Sequence, residues 1–168
     1  MSGTASKEGA RASPSMEEIH GFVLNRLDEV TDAGGLVRFH SVNKYLIMAH
    51  SPSHLNALGN IVANHARRNT ADMLDAYGAQ LRAALMRNPT VRSHYNTLQH
   101  IFGHFSDSMS GSEKRALLGI LNRFSEGKMP VRYALQILKE CTAKYEKTYL
   151  ARQTYFLFFA DPVSGEDL

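Results

Sequence analysis

Apolar residues along this chain recur every three or four positions, the spacing of one face of a helix, and no segment alternates as a half-buried strand would. From Ser15, the residues Ile19, Phe22, Val23 and Leu27 share one side, with Glu17 and Glu18 placed favourably in the first turn. Ala33-Gly34-Gly35 reads as the end of that helix. The next, about residues 36–51, is apolar nearly all round (Leu36, Val37, Phe39, Val42, Leu46, Ile47, Met48), which predicts a central, buried helix. Ser51-Pro52-Ser53 restarts a helix with Leu55, Leu58, Ile61 and Val62 on its buried side. Thr70 is the expected cap of another, about 71–87, with Met73, Leu74, Tyr77, Leu81, Ala84 and Leu85 inward.

Residues 89–124 form the centre of the pattern. Pro89 favours a helix start. Tyr95, Leu98, Ile101, Phe102 and Phe105 fall on one side of that helix, and Asn96, His100, Gly103 and His104 on the other. Ser110 precedes Glu113 by three positions, the capping-box spacing. The helix it opens carries Leu117, Leu118, Ile120, Leu121 and Phe124. Gly127 and Pro130 mark a stop and a new start. The last helix is expected over about 130–153, with Tyr133, Ile137, Cys141, Tyr145 and Tyr149 as its core stripe, and Tyr155–Phe159 folded against the core. The predicted architecture is an all-α, single-domain bundle of about seven helices. It spans residues 15–160, between a disordered tail at 1–14 and an acidic tail at 161–168.

Composition narrows the function. Apolar residues make up 43% of 168, enough for a packed core. There is no bilayer-length apolar run and no signal-peptide pattern, so a soluble cytoplasmic protein without membrane association is expected. Cys141 is the only cysteine, which excludes an intramolecular disulfide and any cysteine-built metal or iron–sulfur cage. Charge is uneven. Residues 1–33 and 161–168 together hold three Lys/Arg and nine Asp/Glu, a net of −6, whereas 34–160 hold sixteen and seven, a net of +9. That balance fits either solvated helix surfaces or a polyanion-binding body with acidic ends.

The candidate chemistry lies in histidines and arginines. His100 and His104, one turn apart, are the candidate metal pair. No glutamate follows His100 as in metalloprotease helices, and Asp107 is the sole nearby carboxylate, so neither a metal nor another cofactor is expected. His94 lies in the apolar sector, where a hydrogen-bonded core residue is the ordinary occupant. A catalytic reading gathers His40, His50, His94 and His100 in one pocket, with Lys44 as an anion clamp. Against it, the chain shows no carboxylate pair, nucleophile elbow or glycine-rich phosphate loop, and Cys141 reads as a packed thiol. Lys44, Arg67, Arg68, Arg87, Arg92 and Arg152 lie at helix ends or seams, where they can converge on phosphates. Arg152 falls near an apolar seam and calls for a carboxylate partner or an anionic ligand.

The run NPTVRSHYNTLQHIFGHF, then SGSEKRALLGIL, then a Gly-x-x-Pro step into a helix ending YLARQTYF, together with FHSVNKYLIMAHS at 39–51, resembles the YbgA-like family over residues 36–159. His40, Lys44, His50, His94, Asn96 and His100 all lie at matching positions. Two positions depart: His104 stands where the family usually has tyrosine, and Ser106 where lysine is common. The resemblance implies a domain of unknown function that occurs alone or behind a thiouracil-desulfidase-type domain. That partner domain carries an iron–sulfur cluster and removes sulfur from thiolated uracil. In fused members the implied substrate is thiolated uridine in tRNA, with the YbgA-like part holding the RNA.

The expected function is therefore an accessory nucleic-acid-binding domain for structured RNA such as tRNA, acting with a separate desulfidase enzyme rather than as an enzyme itself. Lys44, Arg67, Arg68, Arg87, Arg92, Asn96, His100, His104 and Arg152 would carry the binding. The alternatives are a small enzyme using the histidine pocket, with or without a metal, and a protein-interaction module.

Overall fold

The computed structural model describes residues 14–67 and 69–160. The expected tails (Pro14 apart) and Arg68 lie outside the described residues. Among the described residues there are nine α-helices and no strand: α1 Met16–Asp28, α2 Ala33–His50, α3 Pro52–Ala63, α4 Thr70–Leu85, α5 Val91–Gly103, α6 Gly111–Ser125, α7 Val131–Lys144, α8 Thr148–Ala151 and α9 Thr154–Phe159. Single 3-10 turns lie at His65–Arg67 and Ser106–Ser108. The first seven helices, of 12 to 18 residues, carry the bundle, and the chain is all-α as its periodicity predicts.

α2 is the axis of the bundle, packing against α1, α3, α4, α5 and α9. Leu36, Phe39, Tyr45, Leu46, Ile47, Met48 and Ala49 are buried along it, which is why it reads as apolar nearly all round. Each large apolar side chain removed from water there contributes about 1.5–3 kcal/mol. Capping boxes open three helices: Ser15 with Glu18 at α1, Thr90 with Ser93 at α5, and Ser110 with Glu113 at α6. Pro89 thus stands one residue before the α5 cap, and Asn69 rather than Thr70 caps α4. No helix among the described residues is long and apolar enough to cross a membrane.

Three expectations need correction. Ala33-Gly34-Gly35 does not end α1; it forms the first turn of α2. Asp32 makes this possible, its carboxylate accepting the Gly35 N–H at 2.6 Å. The helix expected over 130–153 is broken after Lys144. Glu146 takes a left-handed φ of 55°, and the Lys147 N–H donates back to the Thr142 carbonyl at 2.9 Å, the closure of a Schellman motif. The tyrosine stripe of α7 is the edge of the core face rather than its centre: Ile137, Cys141 and Tyr145 are half-buried against the core. Ala134, Leu135, Leu138 and Thr142 are buried, while Tyr133 and, beyond the break, Tyr149 are exposed.

The break is secured on both sides. Before it, the Glu113 carboxylate receives Lys144 Nζ and the Tyr145 hydroxyl, joining α6 to α7. After it, Gln153 Nε2 donates to the Ser41 carbonyl at 2.8 Å, and Thr154 Oγ1 donates to Asn43 Oδ1 at 2.8 Å. The segment from Lys147 to Phe159 is thereby tied to the middle of α2, bringing Tyr149 and Arg152 beside it.

Candidate nucleic-acid interface

α2, α5 and α8 place one group of polar side chains together at the surface. Tyr45 is buried on α2, but its hydroxyl reaches out to Nε2 of His104, 2.5 Å away at the end of α5. The other ring nitrogen, Nδ1, meets the Tyr149 hydroxyl of α8 at 2.6 Å. Both ring nitrogens of His104 are thus engaged by hydroxyls. A neutral imidazole has one donor and one acceptor, so one tyrosine donates to the ring while the other accepts from it. Partial burial, with Lys44, Lys147 and His100 nearby, lowers the His104 pKa and keeps the ring neutral at pH 7. Burial first, then Tyr149, pushes the Tyr45 hydroxyl up to about 12.

Two lysines flank this Tyr–His–Tyr chain. Lys44 Nζ lies 5.5 Å from the Tyr45 ring centroid, and Lys147 begins the turn into α8. Neither has a carboxylate within ion-pair distance among the described residues. Along α5 the group continues through Arg92, Asn96 and His100, four residues apart and therefore on one stripe spanning roughly 12 Å. Asn96, Gln99 and His100 line a shallow hollow of about 160 Å³. Gly103 lies on open surface, with nothing within 4 Å of where a Cβ would stand.

The remaining sequence-singled residues lie elsewhere. Arg67 is exposed in the 3-10 turn after α3, and Arg87 is exposed between α4 and α5. Arg152 is exposed rather than buried at a seam, and lines a separate hollow beside α1 and α2. The histidines of the catalytic reading have separate partners. His40 Nδ1 lies 3.0 Å from the Tyr77 hydroxyl, and His50 Nδ1–H donates to the Arg87 carbonyl at 2.6 Å. His94 Nδ1 lies 2.7 Å from the hydroxyl of the fully buried Tyr155. Burial lowers the pKa of His50 and of His94 to about 4, so both are neutral. His94 is the hydrogen-bonded core residue that its apolar sector predicts. Neither hollow described here includes His40, His50 or His94. Among the described residues no three His, Cys, Asp or Glu side chains gather as a metal-holding group.

Sequence reasoning missed Lys147 and Tyr45 as parts of this surface and assigned Tyr149 to the core. Tyr149 was hidden in the four-residue step of the stripe, and only the break at Glu146 turns it towards His104.

Comparison with known proteins agrees with the resemblance read from the motifs. The family model described as "Protein of unknown function (DUF1722)" matches residues 44–159, more than half of the chain. The chain is 29% identical over 140 residues to "Uncharacterized protein YbgA" of Escherichia coli (strain K12), covering 80% of this chain and 83% of that one. No solved structure matches it significantly.

Proposed function

This chain belongs to the DUF1722 family of proteins of unknown function, and from the chemistry of its surface we propose that it is a cytoplasmic RNA-binding domain. The observation that carries the reading is the pair of lysines, Lys44 and Lys147, that flank the His104 ring and the exposed Tyr149 without a carboxylate partner among the described residues. Unpaired ammonium groups beside an exposed aromatic ring suit a phosphate backbone whose base stacks on the ring. Arg92, Asn96 and His100 extend the track along α5, with a neutral amide in its middle that can read a base edge. The ligand class is structured RNA such as tRNA. The domain acts beside a separate enzyme such as a tRNA thiouridine desulfidase, a role that the single cysteine leaves to another chain.

Titration of labelled tRNA at several salt concentrations tests this. Affinity is expected to fall by about 0.7–0.9 log units per neutralised phosphate for each decade of salt. Lys44→Ala and Lys147→Ala should each reduce that slope by roughly one contact. Asn96→Ala should change discrimination between RNAs and leave the slope alone. Absence of tRNA binding at low salt, or binding that ignores salt, would overturn the proposal.

A further inference from the structure

We propose that the hollow enclosed by α1, the first half of α2 and the α8–α9 junction is a binding site for a small phosphate-bearing ligand of nucleoside-monophosphate type. The hollow measures about 420 Å³, within the range of small-ligand pockets, roughly 300–1,000 Å³. Its lining combines three arginines, Arg26, Arg38 and Arg152, with apolar surface from Phe22, Phe39 and Val42. That pairing suits a ligand with an anionic end and a flat or apolar end.

The charges in the hollow are not mutually satisfied. Its two carboxylates are Glu29 and Asp32. Glu29 Oε2 takes Arg26 Nη1 at 3.4 Å, and Asp32 Oδ1 takes the Gly35 N–H at 2.6 Å. Arg38 and Arg152 have no carboxylate within 4.0 Å among the described residues. They come from positions far apart in the sequence and converge on one cavity. The Arg38 guanidinium lies across the first turn of α2, where a Cβ at Gly34 would stand 3.5 Å from Nη1 and one at Gly35 3.8 Å from Nη2. Both separations are ordinary van der Waals contact, so the guanidinium rests on that turn. A phosphate dianion held in the hollow can accept paired N–H bonds from both guanidinium forks. A bare carboxylate offers one face of two oxygens, whereas a phosphate presents oxygens to both arginines at once.

The hollow shares no lining residue with the Tyr45–His104–Tyr149 surface, so the two can be tested separately. Isothermal titration of the full chain with uridine monophosphate, adenosine monophosphate, the matching nucleosides and inorganic phosphate is the direct measurement. Saturable binding of a monophosphate, at least about tenfold tighter than its nucleoside, is expected, since loss of charge-assisted bonds is at least of that order. Arg38→Ala and Arg152→Ala should each weaken it by about tenfold or more, and Arg38→Lys should lose less than Arg38→Ala. Both arginines are exposed, so the unliganded melting temperature should not move with either change. Lys44→Ala and Lys147→Ala should leave monophosphate binding unchanged. No saturable binding of either monophosphate, equal binding of nucleoside and nucleotide, or arginine variants that bind as the parent does, would each overturn it.

Discussion

The hydroxyl of Tyr45, a buried residue of the central helix, and Nε2 of His104, an exposed residue at the end of α5, lie 2.5 Å apart. The bond joins core to surface. Removing the imidazole strands a partly buried hydroxyl, whereas removing both partners strands nothing. His104→Ala is therefore expected to cost about 1–3 kcal/mol. Adding Tyr45→Phe should restore part of that loss, giving a coupling term outside the range of independent sites. Urea unfolding of the parent, the two single variants and the double variant measures it. Strictly additive losses would show that the bond contributes nothing.

Two helices end in the same way with different residues. After α6, Gly127 has φ 72° and the Lys128 N–H donates to the Arg123 carbonyl at 2.8 Å. After α7, Glu146 has φ 55° and Lys147 closes the equivalent bond. A side chain in the left-handed region costs about 1–2 kcal/mol. Nothing lies within 4 Å of a Cβ at Gly127, so Gly127→Ala should lose close to that conformational cost alone. Glu146→Gly should gain stability, by about 0.5–1 kcal/mol after the added entropy of the unfolded chain is allowed for. Thermal unfolding of both variants checks the opposite signs. A destabilised Glu146→Gly would mean that the side chain makes a contact outweighing its strain.

The same comparison explains what could be read from the sequence. The stop at Gly127 was legible because glycine advertises a left-handed position. The stop at Glu146 was not, because nothing in its residue type departs from a continuing helix. Missing that break carried Tyr149 on as a core residue and Arg152 as a seam residue. Ala33-Gly34-Gly35 failed for the opposite reason. Two glycines look like a terminus, yet the Asp32 cap turns them into a first turn. The polar face of α5 was legible from its spacing alone. Its partners on α2 and α8 were not, because they arrive through tertiary contacts between residues far apart in the chain.

The Asn43–Thr154 bond predicts a local effect. Asn43 is 3% exposed, donates to the Phe39 carbonyl at 2.8 Å and accepts from Thr154 Oγ1. Asn43→Ala leaves Thr154 with only the longer bond to the Val42 carbonyl, at 3.3 Å. A global loss of about 1–3 kcal/mol is expected. Amide hydrogen exchange should accelerate in α9 more than in α3 or α4, which also pack on α2 but share no hydrogen bond with Asn43 or Thr154. Uniform acceleration across all helices would show that the network does not act locally.

Stability should fall as the solution is acidified from pH 7, because of two buried imidazoles. His50 and His94 have folded pKa values of about 4, depressed first by burial and then by neighbouring rings, His20 beside His50 and His50 beside His94. The Arg87 carbonyl opposes the shift at His50 without cancelling it. In the unfolded chain each returns to about 6.5. Between those values the unfolded state binds protons that the folded state refuses. The stabilisation is therefore full above about pH 6.5 and is lost as pH falls towards 4. From pH 7 to pH 5 each imidazole should remove about 2 kcal/mol. His20, His40 and His104 are also depressed by burial and add in the same direction. Glu113 does not enter this window. Its bond to Lys144 first, then those to Ser110 and Tyr145, hold it at about 2, so its contribution is lost only below the ordinary carboxylate range. Urea midpoints at half-unit steps between pH 7 and 5 give the slope directly, and His50→Leu should reduce it by one imidazole's share. A midpoint that does not change across the interval would mean that His50 and His94 are protonated in the folded protein, contrary to their burial.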